Sequence, residues 1–256
     1  MSAVADREML VISDRASEEE RLQRDRFFRL FKRSPIPDNE LMANLALYIN
    51  RQTLSRLMFV HEIYKQIIGV HGIVIEFGCR WGRNLALFES FRGMYEPFNF
   101  TRRIIGFDTF AGFPQVSRED GKDDIVARGH YSVTQGYETY LDEILDYHER
   151  ESPISHIRKY EIIKGDASKE IGSYLERHQE TIVALAYFDM DLYEPTRNCL
   201  LAIKDRLTRG SILVFDEINH ERFPGETLAL QEVVGLGKYP IRRLPFNATT
   251  SYLVIE

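Results

Sequence analysis

The sequence predicts an α/β protein: a mainly parallel sheet covered by helices, with a helical N-terminal extension. Three observations carry this reading. From Gly72 onward, short apolar runs alternate with segments of helical length, the pattern of βαβ units. Several apolar runs stop abruptly at carboxylates, as buried parallel strands do where they leave the core. Residues 1–70 lack that alternation and are rich in helix formers. Two domains are therefore expected, a helical extension over 1–70 and the α/β domain over 71–256.

The elements follow in order. Residues 17–32 are charged, with Leu22, Phe27, Phe28, Leu30 and Phe31 as the apolar positions. Pro35 and Pro37 break this helix, and Asp38 caps an amphipathic segment over 39–68. Helices of this kind suit packing or self-association, so a homo-oligomer is expected. Strands are predicted over 73–77, 103–107, 160–164, 182–188, 211–215 and 252–255. Helices fill the gaps near 82–94, 136–147, 168–177, 194–207 and 225–234. The polar, glycine-bearing stretch 109–135 is too long for a plain connection and reads as a functional loop such as a lid.

The bulk numbers narrow the function classes. With 256 residues, 44% apolar and 28% charged, the chain can build a large core without staples. A net charge of −6 argues against a general nucleic-acid binder, which needs a basic face. Cys79 and Cys199 stand far apart in no metal or redox spacing, as thiols of a reducing compartment do. No apolar run reaches the ~18 residues of a membrane span. The N-terminus carries Asp6, Arg7, Glu8 and Asp14 and does not read as a signal peptide. A cytoplasmic protein is expected.

Function is legible at the strand ends, where open α/β sheets bind ligands. The first strand ends Glu76-Phe77-Gly78-Cys79-Arg80-Trp81-Gly82. Its glycines let the backbone turn tightly and approach a ligand. The dinucleotide and phosphate-loop fingerprints are absent, and Glu76 suits an amine-bearing ligand better than a pyrophosphate. Asp108 ends the next strand, followed by Thr109, where a carboxylate accepts hydrogen bonds from ribose hydroxyls. Asp166 and Ala167 follow the third, placed for an adenine amino group. Each carboxylate alone serves equally well as a helix N-cap. Together they outline a pocket for adenosine with a positively charged tail, the polarity of S-adenosylmethionine. Arg80 and Trp81 border its methionine end.

A second constellation lies further on. Asp189 and Asp191 end the fourth strand, and Asp216 and Glu217 end the fifth. Hard oxygens from adjacent strand ends suit Mg²⁺ or a similar dication. Asp189-Met190-Asp191 also fits the Asp-x-Asp of a metal-dependent glycosyltransferase, which leaves Glu76, Asp108 and Asp166 unexplained.

The motifs Gly106-Phe107-Asp108-Thr109-Phe110-Ala111-Gly112-Phe113-Pro114, Asp189-Met190-Asp191-Leu192-Tyr193-Glu194-Pro195-Thr196 and Phe215-Asp216-Glu217 resemble the macrocin O-methyltransferase family over residues 70–256. Within it the chain resembles the calicheamicin-pathway enzyme acting on TDP-rhamnose. The resemblance implies a Rossmann-like class I methyltransferase sheet with a reversed last strand. It implies transfer of a methyl group from S-adenosylmethionine to a deoxysugar hydroxyl, the 3-position of a TDP-linked rhamnose, in antibiotic biosynthesis. It places Asp189 and Asp216 at the metal, with Glu217 where relatives often carry aspartate, and Asp189 also beside the cofactor. Asp191 is the first candidate base and His220 the second; which of Asp189 and Asp191 meets the metal stays open. Arg118, Arg128, His130 and Tyr131 of the loop are candidates to touch the sugar or its diphosphate.

Overall fold

The computed structural model describes residues 16–122 and 126–256. The sequence reading of residues 1–15 lies outside them. By compactness the chain divides into Met1–Leu54 and Ser55–Glu256.

In the first unit, α1 (Glu18–Lys32) starts at a capping box in which Ser17 and Glu20 satisfy each other's backbone N–H groups. It buries no residue. Phe27 and Phe31 pack on Tyr48, whose hydroxyl donates to Ser34 at 2.8 Å. The segment predicted as one amphipathic stretch over 39–68 is instead three pieces: α2 (Asp38–Leu41), a 3₁₀ turn (Met42–Tyr48) and α3 (Arg51–Ile67). The break has a local cause. Ile49 is extended, and the Asn50 side chain accepts from Thr53 N at 2.8 Å, capping a fresh helix.

From Ser55 the chain is a doubly wound α/β unit. α3 contributes Phe59, Val60, Ile63, Tyr64 and Ile67 to the sheet core, so the larger unit begins before the boundary expected at residue 71. The strands are β1 (Ile73–Phe77), β2 (Ile104–Asp108), β3 (Tyr160–Lys164), β4 (Val183–Phe188), β5 (Leu207–Phe215) and β6 (Ser251–Val254). Their order is β3-β2-β1-β4-β5-β6, with β6 antiparallel to β5 and every other pairing parallel. The reversed last strand is the topology the motifs imply.

Side-chain alternation sorts the core into two layers. Val74, Ile104, Leu185, Tyr187 and Val214 face α3, α4 (Arg83–Tyr95) and α5 (Tyr137–Glu151). Ile75, Phe77, Ile105, Phe107, Phe188 and Phe215 face α6 (Ala167–Arg177), α7 (Tyr193–Ile203) and α8 (Gly225–Val233). The central strands β1, β2 and β4 are buried on both sides, which is why their sequences read as continuous apolar runs.

One feature of register positions the site. Phe77 pairs with Phe107 and with Phe188, and Phe188 pairs with Phe215. Their rings lie 5.3, 5.1 and 4.9 Å apart across four strands. The residue after each phenylalanine is therefore level with its neighbours: Asp108, Gly78, Asp189 and Asp216. An apolar aromatic row ends in a polar edge, and the strand order reverses between β1 and β4, the switch point where such sheets bind ligands.

Candidate active site

The β1 end is shaped by backbone. Gly78 has φ +86, and a Cβ there would lie 2.0 Å from the Asp189 carbonyl oxygen. Only glycine lets β1 turn this close to the end of β4. Arg80 follows with φ 47, a left-handed conformation that costs a side-chain-bearing residue energy and clusters at functional sites. Asp108 secures it: its carboxylate accepts from Arg80 N at 2.7 Å and from Phe110 N at 2.5 Å.

Glu76 lies almost fully buried beneath this turn. Asn84 donates to its Oε1 at 2.8 Å, while Oε2 is buried with no hydrogen-bond partner. Burial first, then Asp189, pushes the Glu76 carboxyl well above the usual range. A buried acceptor without a donor asks for one, and an ammonium group answers both its geometry and its charge. The orphan oxygen, the glycine cradle and Asp108 beside the turn fit S-adenosylmethionine. At the edge of the cradle, Trp81 is 43% exposed and meets the Tyr137 ring edge-on at 4.7 Å. Gly82 begins α4 with φ 73.

Other expected cofactor contacts have local work. Asp166 is the N-cap of α6, accepting from Ser168 N at 3.1 Å and Ser168 Oγ at 2.7 Å, with Lys169 Nζ 3.3 Å away. The Thr109 hydroxyl donates to Gly112 O at 2.7 Å and closes a turn. Ala167 is buried in the core. A cleft of about 460 Å³ opens beside Thr109, lined also by Gly112, Phe113, Arg128 and Lys169.

The β4 and β5 ends bring four carboxylates together. Burial, then Asp216 and Asp191, pushes Asp189 well above the usual carboxylate range. Burial, then Glu217 and Asp216, does the same to Asp191, which has φ 60. Burial, then Asp216 and Asp189, raises Glu217 to about 8. Asp216 accepts at Oδ1 from Thr250 Oγ1 at 2.8 Å and Tyr187 OH at 3.2 Å, and its Oδ2 lies 4.0 Å from Arg56 Nη2. His220 Nδ1 is 3.5 Å from Glu217 Oε2. Crowded carboxylates of this kind are relieved by a cation. In donor type and charge they suit a dication. Among the described residues, however, no group of three or more His, Cys, Asp or Glu side chains is placed ready to hold one.

Three residues of this region escaped the sequence reading, and a fourth, Tyr131, is one of its loop candidates for the sugar. Glu226, fully buried at the start of α8, accepts from Met190 N at 3.3 Å, Asp191 N at 3.4 Å and Glu217 N at 3.1 Å, tying both strand-end loops together. Asp120 anchors the long loop, accepting from Ser117 N at 2.6 Å and from Tyr193 N at the start of α7. Arg56 comes from a stretch with no catalytic signature. Tyr131, with φ 63, stacks its ring 4.9 Å from the Arg80 guanidinium. A glutamate opening the helix after β5 was the one sequence signal available for Glu226.

The relatives bear on what this edge does. Protein-family models and curated proteins give no match. Two solved structures of CalS11 do. One, a calicheamicin methyltransferase, superposes with a TM-score of 0.91 at 42% identity over 93% of each chain. The other, the apo form of CalS11 described as a TDP-rhamnose 3'-O-methyltransferase of calicheamicin biosynthesis, gives 0.83 at 39% identity over 93% of this chain and 95% of that one. The chain belongs to the CalS11 family of sugar O-methyltransferases. The O-methyltransferase NovP, with a TM-score of 0.58 and 17% identity over 78% of this chain and 79% of its own, shares the fold. The membership is the one the strand-end motifs imply. No described helix is long and apolar enough to cross a membrane.

Proposed function

We propose that the protein moves a methyl group from S-adenosylmethionine to a hydroxyl of a nucleotide-linked deoxysugar, the 3-hydroxyl of a TDP-linked rhamnose, in antibiotic biosynthesis, with a divalent cation at the acidic cluster. The observation that carries this reading is the contact between the two half-sites. Gly78 lies against the Asp189 backbone, and Asp189 acts electrostatically on Glu76. The cofactor cradle and the acidic cluster are thus neighbours.

The Glu76 Oε2 accepts from the ammonium of the cofactor, and Asp108 takes its ribose hydroxyls. Asp189, Asp216 and Glu217 are the residues that would hold the cation, which supplies acidification and alignment of a sugar hydroxyl when bound. Asp191 accepts the hydroxyl proton as the oxygen forms its bond to the methyl carbon and the sulfur–methyl bond breaks. S-adenosylhomocysteine leaves neutral at sulfur. Burial, then Glu217 and Asp216, raises the Asp191 carboxyl above the usual aspartate range. His220, beside Glu217, is the second candidate for that proton.

The test is direct. Protein, cofactor and TDP-rhamnose are incubated with and without a chelator, and the sugar nucleotide is weighed. A gain of one methyl that chelation abolishes supports the reading. Undiminished turnover in excess chelator removes the cation from it. Methylation of a free sugar or a glycosylated scaffold in preference to the nucleotide sugar reassigns the acceptor. A glycosyltransferase would consume the nucleotide sugar without cofactor.

A further inference from the structure

We infer that Glu226 is a positioning residue for methyl transfer: buried beneath the strand-end loops, it fixes the backbone from which the Asp191 side chain projects. The inference rests on Asp191 as the base in the reading above.

Asp191 leaves β4 in a left-handed turn, with φ 60. A residue with a Cβ keeps that conformation only where its surroundings over-determine it. Here the turn is held on both sides. Glu226 Oε1 accepts from Met190 N at 3.3 Å and from Asp191 N at 3.4 Å, the two peptides that lead into the strained residue. Asp120 accepts from Tyr193 N, two residues further on. Gly225 packs on the chain between these points. A Cβ at Gly225 would lie 2.7 Å from Asp191 O and 2.5 Å from Tyr193 N, so the first turn of α8 sits directly against the Asp191 turn.

The clamp is built into the fold. Ala229 and Leu230 seat α8 in the sheet core. An acid in the first turn of a helix ordinarily lies at the surface, where it complements the helix dipole. Glu226 is fully buried instead. Burying a carboxylate is costly unless hydrogen bonds satisfy it. Backbone N–H groups of two loops do so, because Glu226 Oε2 also accepts from Glu217 N at 3.1 Å. One side chain therefore sets the loops after β4 and β5 relative to each other. Thr227, the next residue, adds to the hold: its hydroxyl accepts from Asn219 N at 2.9 Å, and Asn219 is also left-handed, with φ 61.

The chemistry of the side chain is specific to this task. A carboxylate offers acceptors on both oxygens, whereas an amide offers one acceptor and turns an NH₂ donor toward the other loop. Glutamine at 226 keeps the volume and can hold one loop, but not both. Asp191 then loses its fixed direction while the core around α8 stays filled.

The test is a double-mutant cycle on the full chain. It reads kcat for methylation of TDP-rhamnose and, by calorimetry, the affinity for S-adenosylhomocysteine. Glu226→Gln should lower kcat by about 10²-fold, the loss that follows from misplacing a reacting group by about 1 Å. Affinity for S-adenosylhomocysteine should stay within about threefold of the parent. Added to Asp191→Asn, the same substitution should lower kcat by less than about threefold further, because the group it positions is already gone. Gly225→Ala, which presses on the same turn, should give the same pattern and serves if the glutamine variant does not fold. Losses that multiply in the double variant, a parental kcat in Glu226→Gln, or a cofactor affinity that falls in step with kcat would each overturn the inference and leave Asp191 standing as the base. No turnover in the parent, or a parental kcat in Asp191→Asn alone, removes the base reading and the inference with it.

Discussion

At Glu76, one carboxylate oxygen is taken by Asn84 and the other by nothing in the protein. Removing its charge removes the partner proposed for the cofactor ammonium while keeping the shape. Charge-assisted hydrogen bonds contribute about 1.5–3 kcal/mol, so Glu76→Gln should weaken S-adenosylhomocysteine binding by about 10- to 100-fold in calorimetry. Unchanged affinity would place the ammonium elsewhere. Glu217 gives a pH prediction. Its carboxyl rises to about 8 in the folded chain against 4.5 for an ordinary glutamate. Between those values the folded state holds a proton that the unfolded state has lost. Stability contributed by Glu217 is thus greatest below pH 4.5 and is lost as pH rises toward 8. The slope is at most about 1.4 kcal/mol per pH unit. Melting temperature without divalent ions should fall over this window, and Glu217→Gln should flatten the fall. A melting temperature that rises from pH 5 to 8, and rises equally in the variant, would contradict it. Residues of this edge were legible where a strand delivers them, as at Glu76, Asp108, Asp189 and Asp216. Arg56 and Glu226 were not, because helices bring them from elsewhere in the chain and no strand-end pattern marks them.

Among the elements, the sheet was legible because strands buried on both faces write themselves as apolar runs with polar stops. All six runs expected from sequence coincide with strands to within a few residues. The N-terminal segment was less so, because helical composition persists across Ile49 and Asn50 while one extended residue and one cap divide it. Asp166 shows why a strand-end carboxylate is ambiguous: its side chain already caps α6. Two predictions belong at this scale. Gly78→Ala puts a Cβ 2.0 Å from the Asp189 carbonyl, where backbone must give way. It should lower the melting temperature and weaken cofactor binding together, with a cost of at least 1–3 kcal/mol for the strained turn. Wild-type values for both would mean that β1 and β4 do not approach as described. In the long loop, Asp120→Ala strips the acceptor from Tyr193 N and from Ser117. Limited proteolysis within 109–135 should quicken several-fold, at a stability cost of about 1–3 kcal/mol. Unchanged cleavage would show the loop is held by something else.

Across the whole molecule, the proposed function divides one reaction between two halves of the carboxyl edge of the doubly wound sheet. β1 and β2 present a glycine turn, a buried carboxylate lacking a donor and a second carboxylate. β4 and β5 present crowded acids that sit beside it through register alone. The aromatic row of Phe107, Phe77, Phe188 and Phe215 sets the level at which apolar packing stops and chemistry starts. The division predicts separable losses, and Asp191 is the place to look. Asp191→Asn keeps the size of the side chain and removes the proposed base. S-adenosylhomocysteine affinity should stay within about threefold of the parent, while kcat for methyl transfer to the sugar nucleotide falls by about 10²–10⁴. A variant whose cofactor affinity collapses in step with its turnover, or whose turnover persists, would contradict the account.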